Sequence, residues 1–165
     1  MSKIPRFRVP AREKGATLIV ALIFMAILAL AGASVALNNT FQERMSGNTR
    51  SRDLAFQAAE AALDDAASTI NTWRVLSFDG SQAGLTQLVA SQANDAGYWG
   101  NASNWASYRT PAQTLNQVAE QPRYRVEKMA SVGTTEYYRV TARGVGAQAS
   151  AIVVLQAVYS YTPSP

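Results

Sequence analysis

The chain reads as an α+β protein: a long N-terminal helix packed on a C-terminal antiparallel sheet of three or more strands. Three observations lead there. Residues 16–37 form an uncharged, mostly apolar run; alanine-rich sequence with three-four spacing follows; and from residue 123 the apolar period falls to two. Periods near 3.6 and 2 are those of helix faces and strand faces.

The run from Ala16 to Leu37 is 22 residues long and follows a short cationic leader, residues 1–15. As a helix it would extend about 33 Å against a hydrocarbon core of about 30 Å. Lys3, Arg6, Arg8, Arg12 and Lys14 against Glu13 already supply the whole net charge of +4. Basic residues before a span keep that end cytoplasmic and send the remainder outward.

Residues 38–74 continue the helix as an amphipathic stem. Ala55, Ala59, Leu63, Ala66, Ile70 and Trp73 recur at steps of three or four, while Asp53, Glu60 and Asp64 lie largely off that stripe. Alanine, the best helix former, dominates 55–67. Gly32 and Gly47 interrupt it, each costing about 1 kcal/mol relative to alanine. Ser46-Gly47-Asn48 therefore reads either as a break, with a new helix from about Ser51, or as a soft point in one long helix.

Residues 75–122 read as an irregular region. Asp79-Gly80, Gly84, Asn94-Asp95, Gly97, Gly100-Asn101, Asn104 and Pro111 break periodicity repeatedly, with a short helix expected from Leu85 to Ala93. Tyr98, Trp99, Trp105 and Tyr108 are read as the core of this loop rather than a contact surface.

Residues 123–162 read as the sheet. Tyr124 and Val126 alternate with Arg123, Arg125 and Glu127; Tyr138, Val140 and Ala142 alternate with Tyr137, Arg139, Thr141 and Arg143. Each pattern marks a strand with one buried face. Ala151 to Val158, nearly all apolar, reads as a strand covered on both sides, and Gly133-Thr134 and Gly144 to Gly146 as turns.

Composition removes several classes of function. After Gly15 the chain has ten basic and ten acidic side chains, so no basic footprint marks a nucleic-acid interface. There is no histidine, the commonest general base and metal ligand, and no cysteine. Asp64-Asp65 point about 100° apart on a helix and form no working carboxylate pair. Asp79-Gly80-Ser81 and Asn94-Asp95-Ala96-Gly97 lack the full spacing of a calcium loop. No catalytic residue, metal site or cofactor is expected.

Three readings of the N-terminus compete. Residues 16–37 form a permanent anchor; or they form a secretory signal cut after Ala33, in Ala31-Gly32-Ala33; or the leader alone is removed. Lys14-Gly15-Ala16-Thr17-Leu18-Ile19 resembles the processing site of type IV prepilins. Gln42 to Asn48 and Leu54 to Leu63 resemble the stem of PilX-type minor pilins. Tyr138 to Gly144 and Val153 to Gln156 resemble the C-terminal strands of the same family. The resemblance covers residues ~12–65 and ~124–160 and leaves the middle unassigned.

The resemblance implies a pilin-like fold and a structural, non-enzymatic role. It implies cleavage between Gly15 and Ala16 by the prepilin peptidase, methylation of Ala16, and residence in the inner membrane before assembly into an extracellular pilus. It also implies partners: other minor pilins, the major pilin, the inner-membrane assembly platform and membrane lipid. Most pilins carry a glutamate at the fifth mature residue, which pairs with the N-terminal amine of the subunit above; here that place is Val20. The departure fits a tip subunit that helps prime assembly, although valine also simply suits lipid. K-type minor pseudopilins of type II secretion share it and remain a rival assignment. Pilins often loosen the stem at a proline; this chain has none before Pro111, which makes Gly47 the candidate soft point.

Overall fold

The computed structural model describes residues 14–92 and 94–163. The expected leader, apart from Lys14 and Gly15, lies outside them. The chain divides between Met45 and Ser46 into two compact units.

In the first unit every described residue from Lys14 onward belongs to helix α1, Lys14–Ser68. It contains a segment long and apolar enough to cross a membrane. Its large apolar side chains, from Leu18 and Ile19 through Leu30 to Val35, are exposed. Ser34 donates its hydroxyl to the Leu30 carbonyl at 3.0 Å. Its polar atom is thus satisfied within the helix.

The second unit holds the rest of α1 and a four-stranded sheet. Of the two readings at Ser46-Gly47-Asn48, the structure takes the single helix: α1 runs through without a break. It ends where hydroxyls compete for its carbonyls, with Ser68 donating to Asp65 O at 2.7 Å and Thr69 to Ala66 O at 2.9 Å. One short turn, α2 (Ile70–Trp73), follows.

The strands are β1 (Leu85–Gln87), β2 (Arg123–Lys128), β3 (Glu136–Val145) and β4 (Ile152–Tyr161), in the order β1-β2-β3-β4. β2, β3 and β4 form the expected antiparallel meander. β1 joins it in parallel, with Leu85 opposite Val126, so the sheet is mixed. This corrects the helix expected over Leu85–Ala93. Leu85 to Gln87 is a strand and only Ala90–Gln92 turns helically, as a 3-10 turn; Ala93 lies outside the described residues. Leu85 fits a helical period with Leu88 and Val89, but Val89 stays exposed while Leu85 is buried. Pairing with β2 overrides a local preference too short to resist it.

One face of the sheet packs on α1. Ala59, Ala62, Ala66 and Trp73 meet Leu85, Tyr124, Val126, Tyr138, Val140 and Ala142; the spacings predict all of these except Ala62 and Leu85. Trp73 sits edge-on to Tyr138, centroids 5.2 Å apart. Helix and sheet approach to backbone contact at two glycines. A Cβ on Gly144 would lie 2.0 Å from the Ala55 carbonyl oxygen, and one on Gly146 would lie 1.9 Å from that of Ser51. Gly144 is therefore a strand residue of β3 chosen for closeness, not part of a turn as its sequence context suggested.

The other correction concerns coverage. β4 is half-buried and lies at a sheet edge; it is not enclosed. The strand enclosed on both sides is β3, whose last eight residues, Tyr138 to Val145, are all buried. Its outer face is covered by the segment containing α3 (Ala96–Gly100) and the 3-10 turn Ala102–Asn104. Trp99 of that segment lies against the arginines of this face.

Candidate functional site

Among the described residues no cleft with converging catalytic groups stands out. The candidate site is the exposed apolar helix of the first unit together with the surfaces of the head. Gly15 and Ala16 lie in the first turn of α1. Val20 is half exposed, at 50%, on a helix whose neighbours Ile19, Leu22, Ile23 and Phe24 are equally open. No carboxylate or cation occurs from Ala16 to Gln42. At Val20 the chain thus offers lipid or a neighbouring helix apolar contact and nothing ionic.

Gly47 lies within α1, and a Cβ there would meet nothing within 4 Å. Neither crowding nor a left-handed backbone requires glycine there.

In the head, the charges that looked like solvated strand faces form a covered polar layer. Arg139 donates from Nε to Glu127 Oε2 at 2.8 Å; Glu127 is wholly buried and Arg139 nearly so. Arg143 reaches Glu120 at 3.1 Å, and Arg123 reaches the same carboxylate at 3.3 Å. Arg125 bonds the Asn104 carbonyl at 3.4 Å and Thr86 Oγ1 at 3.3 Å, and lies 5.3 Å from the centre of the Trp99 ring. Period-two alternation cannot distinguish this layer from a wet surface. The signal available was two tryptophans in a loop too rich in turn formers to have another core.

Those tryptophans close the loop as expected. Trp99 and Trp105 are buried with centroids 5.5 Å apart, and their indole N–H groups donate to Gln92 O at 2.7 Å and Trp99 O at 2.8 Å. Tyr108 lies under Arg123, 4.5 Å from Cζ to ring centre. Asp64 and Asp65 part company. Asp64 is exposed, whereas Asp65 accepts from Ala112 N–H at 3.0 Å and from the Tyr124 hydroxyl at 3.1 Å, tying α1 to the loop and to β2. Burial pushes the Tyr124 phenol up, and the Asp65 charge adds to it.

At the end of the head formed by α2 and the start of β3, Glu136 accepts from the Tyr138 hydroxyl at 2.7 Å and from Lys128 at 3.0 Å, with Arg74 at 3.7 Å. These partners, Tyr138 first, hold its carboxyl below the usual range. The turns considered for calcium use their carboxylates on backbone. Asp79 accepts from Ser81 N–H at 2.9 Å and Asp95 from Tyr98 N–H at 3.0 Å. Among the described residues, no group of three or more acidic, histidine or cysteine side chains is placed to hold a metal.

An apolar helix joined to an α+β head is the frame on which two family models fit. The model for the PilX N-terminal domain matches residues 14–64, and the model for the type IV pilus assembly protein PilX C-terminal region matches residues 59–161. The chain belongs to the PilX family. It is a PilX-type minor pilin of type IV pili. No curated protein and no solved structure gives a match. The C-terminal match extends the resemblance through residues 75–122, the stretch that sequence reading left unassigned. The two matches overlap at 59–64, where α1 of this PilX protein packs on its sheet. Membership makes the chain a structural pilus component that contacts other pilus proteins, and the apolar helix accounts for its membrane anchoring.

Proposed function

We propose that this PilX-family subunit primes pilus assembly together with other minor pilins and occupies the tip of the fibre. The observation that carries the reading is Val20. A carboxylate near the centre of a lipid-embedded helix costs about 2.5–3.5 kcal/mol on insertion scales, so it is retained where a partner rewards it. In type IV pilins that partner is the amine of the subunit above. A chain with valine there can receive a subunit below it through its own amine but offers nothing upward. The end of the fibre is the place where nothing upward is needed.

The same reading has the prepilin peptidase cut between Gly15 and Ala16, Ala16 methylated, and the span 16–37 kept in the inner membrane until the assembly platform extracts it. Gly47 is the point at which the stem gives on entering the fibre. K-type minor pseudopilins share the valine. The pilus assignment is preferred because the family match includes the head as well as the stem.

Two measurements test this. Intact mass of the mature protein is expected to show a methylated chain starting at Ala16; a chain starting at Ser34 would mean a discarded signal. Immunogold labelling is expected to find the wild type at fibre ends and Val20→Glu along shafts. Abundant wild-type label along shafts would sink the tip assignment.

A further inference from the structure

We infer that residues 110–122 form a lid hinged beside β2, which lifts off α1 as a unit while the sheet and its core stay folded. Lifting uncovers the side of α1 that the lid faces, from Ala61 to Ser68. The inference concerns the head alone and stands whatever position the subunit takes in the fibre.

The base of the lid is fixed. Arg109 and Tyr124 exchange both backbone hydrogen bonds at 2.8 Å, which brings the two ends of the segment together. The Tyr124 ring belongs to the core, and Pro122 beside it is fully buried. A surface segment of about 6–16 residues whose ends meet is an Ω-loop, compact in itself. Here Gln121 supplies the compactness, exchanging two hydrogen bonds of 2.9 Å with the backbone of Leu115.

Beyond the base nothing roots the segment in the core. No residue from 110 to 121 is buried, and none belongs to the apolar cluster or packs against it. Leu115 and Val118 are half-buried at most. A cavity of about 290 Å³ lies between Pro111, Ala112 and Leu115 of the lid and Ala61, Asp64 and Ser68 of α1. Packed interiors leave few voids larger than a water molecule, so the lid bridges this part of α1 and does not interlock with it.

What holds the lid down is a set of separate polar ties. Ala112 N–H donates to Asp65 Oδ1 at 3.0 Å, Ala119 N–H to Gly146 O at 2.7 Å and Arg50 Nη2 to Gln117 Oε1 at 3.4 Å. Glu120 meets Arg143 at 3.1 Å and Arg123 at 3.3 Å. Each tie can break without opening a hole in the core. Gln117 has a φ of 67°, in the left-handed region that a residue with a Cβ disfavours. Closure thus keeps one residue in a strained backbone, and lifting lets it relax. Exposed ties and few buried apolar contacts mark a segment that opens well before the whole domain unfolds.

Residue-resolved hydrogen exchange on the full-length protein in detergent tests this. Ala112 and Ala119 are tied to different partners at opposite ends of the lid, Leu115 is tied within it, and Val126 N–H bonds Gly84 O at 2.8 Å in the sheet. Corrected for intrinsic rates, Ala112 and Ala119 are expected to share one protection factor and to exchange at least about 100-fold faster than Val126. Leu115 should be slower than either, because its bond to Gln121 travels with the lid. Glu120→Gln takes the charge out of one tie and should speed Ala112 and Ala119 by the same factor, about tenfold, leaving Val126 unchanged. The chain has no cysteine, so Arg50→Cys with Gln117→Cys can be bridged by a short bis-maleimide; bridging should slow both lid amides by about tenfold or more. Lid amides no faster than Val126, a Glu120→Gln effect confined to Ala119, Leu115 as fast as its neighbours, or a bridge without effect would each overturn the proposal. The wild-type and Glu120→Gln comparisons decide it alone if the cysteine pair fails to fold.

Discussion

Replacing Gly144 by alanine adds one methyl group at the place where β3 and α1 are closest. The added carbon would lie 2.0 Å from Ala55 O, 2.5 Å from Ala59 N and 3.1 Å from Ala55 C. A carbon–oxygen contact relaxes at about 3.3–3.6 Å, so the helix must retreat by about 1 Å or more. A gap of 0.5–1 Å forfeits about a quarter to a half of the dispersion energy of each contact it opens. The contacts at risk are those of Ala55, Ala58, Ala59 and Ala62, all fully buried. Overpacking of this type costs about 1–3 kcal/mol, and with backbone on both sides the upper end is expected. Tryptophan fluorescence during urea unfolding of the full-length protein in detergent reads the head alone, because Trp73, Trp99 and Trp105 are its only tryptophans. Ala55→Gly should not rescue the variant, since the obstructing atoms are backbone. A loss below about 0.5 kcal/mol, or rescue by Ala55→Gly, would refute the close-packing argument.

Three further outcomes are expected. Arg139→Met should destabilise the head by about 3–5 kcal/mol by stranding the buried Glu127 charge, while Glu127→Leu with Arg139→Met should recover most of it; a single-variant loss below about 1 kcal/mol counts against a dry ion pair. Glu136, held below its ordinary value of 4.5, contributes stability that is full above about pH 5 and is lost as pH falls through its folded value, because the unfolded chain takes the proton more readily. Glu136→Gln should flatten that acid limb of the unfolding curve, and an unchanged limb would assign it elsewhere. Gly47→Ala should stiffen α1 by about 1 kcal/mol, slow amide exchange over residues 44–50 and reduce the number of pili; unaltered exchange would remove Gly47 as a soft point.

Much of this architecture is readable from periodicity, and the failures have physical causes. The stripe from Ala55 to Trp73 and the inward residues Tyr124, Val126, Tyr138, Val140 and Ala142 declare themselves because each packs one face on one core. β1 stayed hidden because three residues hold no period, and its partner β2 is nearly forty residues away in sequence. The enclosure of β3 was assigned to β4 because apolarity was read as coverage. Arg139 and Arg143 are covered because Glu127 and Glu120 answer their charge, which no alternation reveals. Gly144 was read as a turn former because glycine's two uses, left-handed backbone and close approach, look alike in sequence. The roles proposed for Gly15, Ala16, Val20 and Gly47 come from the resemblance to type IV prepilins, not from the helix's own pattern.

The irregular stretch between α2 and β2 is fastened without sulfur. Gln121 exchanges two hydrogen bonds with the backbone of Leu115, each 2.9 Å; Asp65 holds Ala112 N–H; and Glu120 answers two arginines. Clasps of this type close at once and reopen freely, and closing them consumes no oxidant. The head's maturation is therefore not tied to a thiol oxidase or to the electron acceptors behind one. Reductants such as dithiothreitol should leave its shape alone.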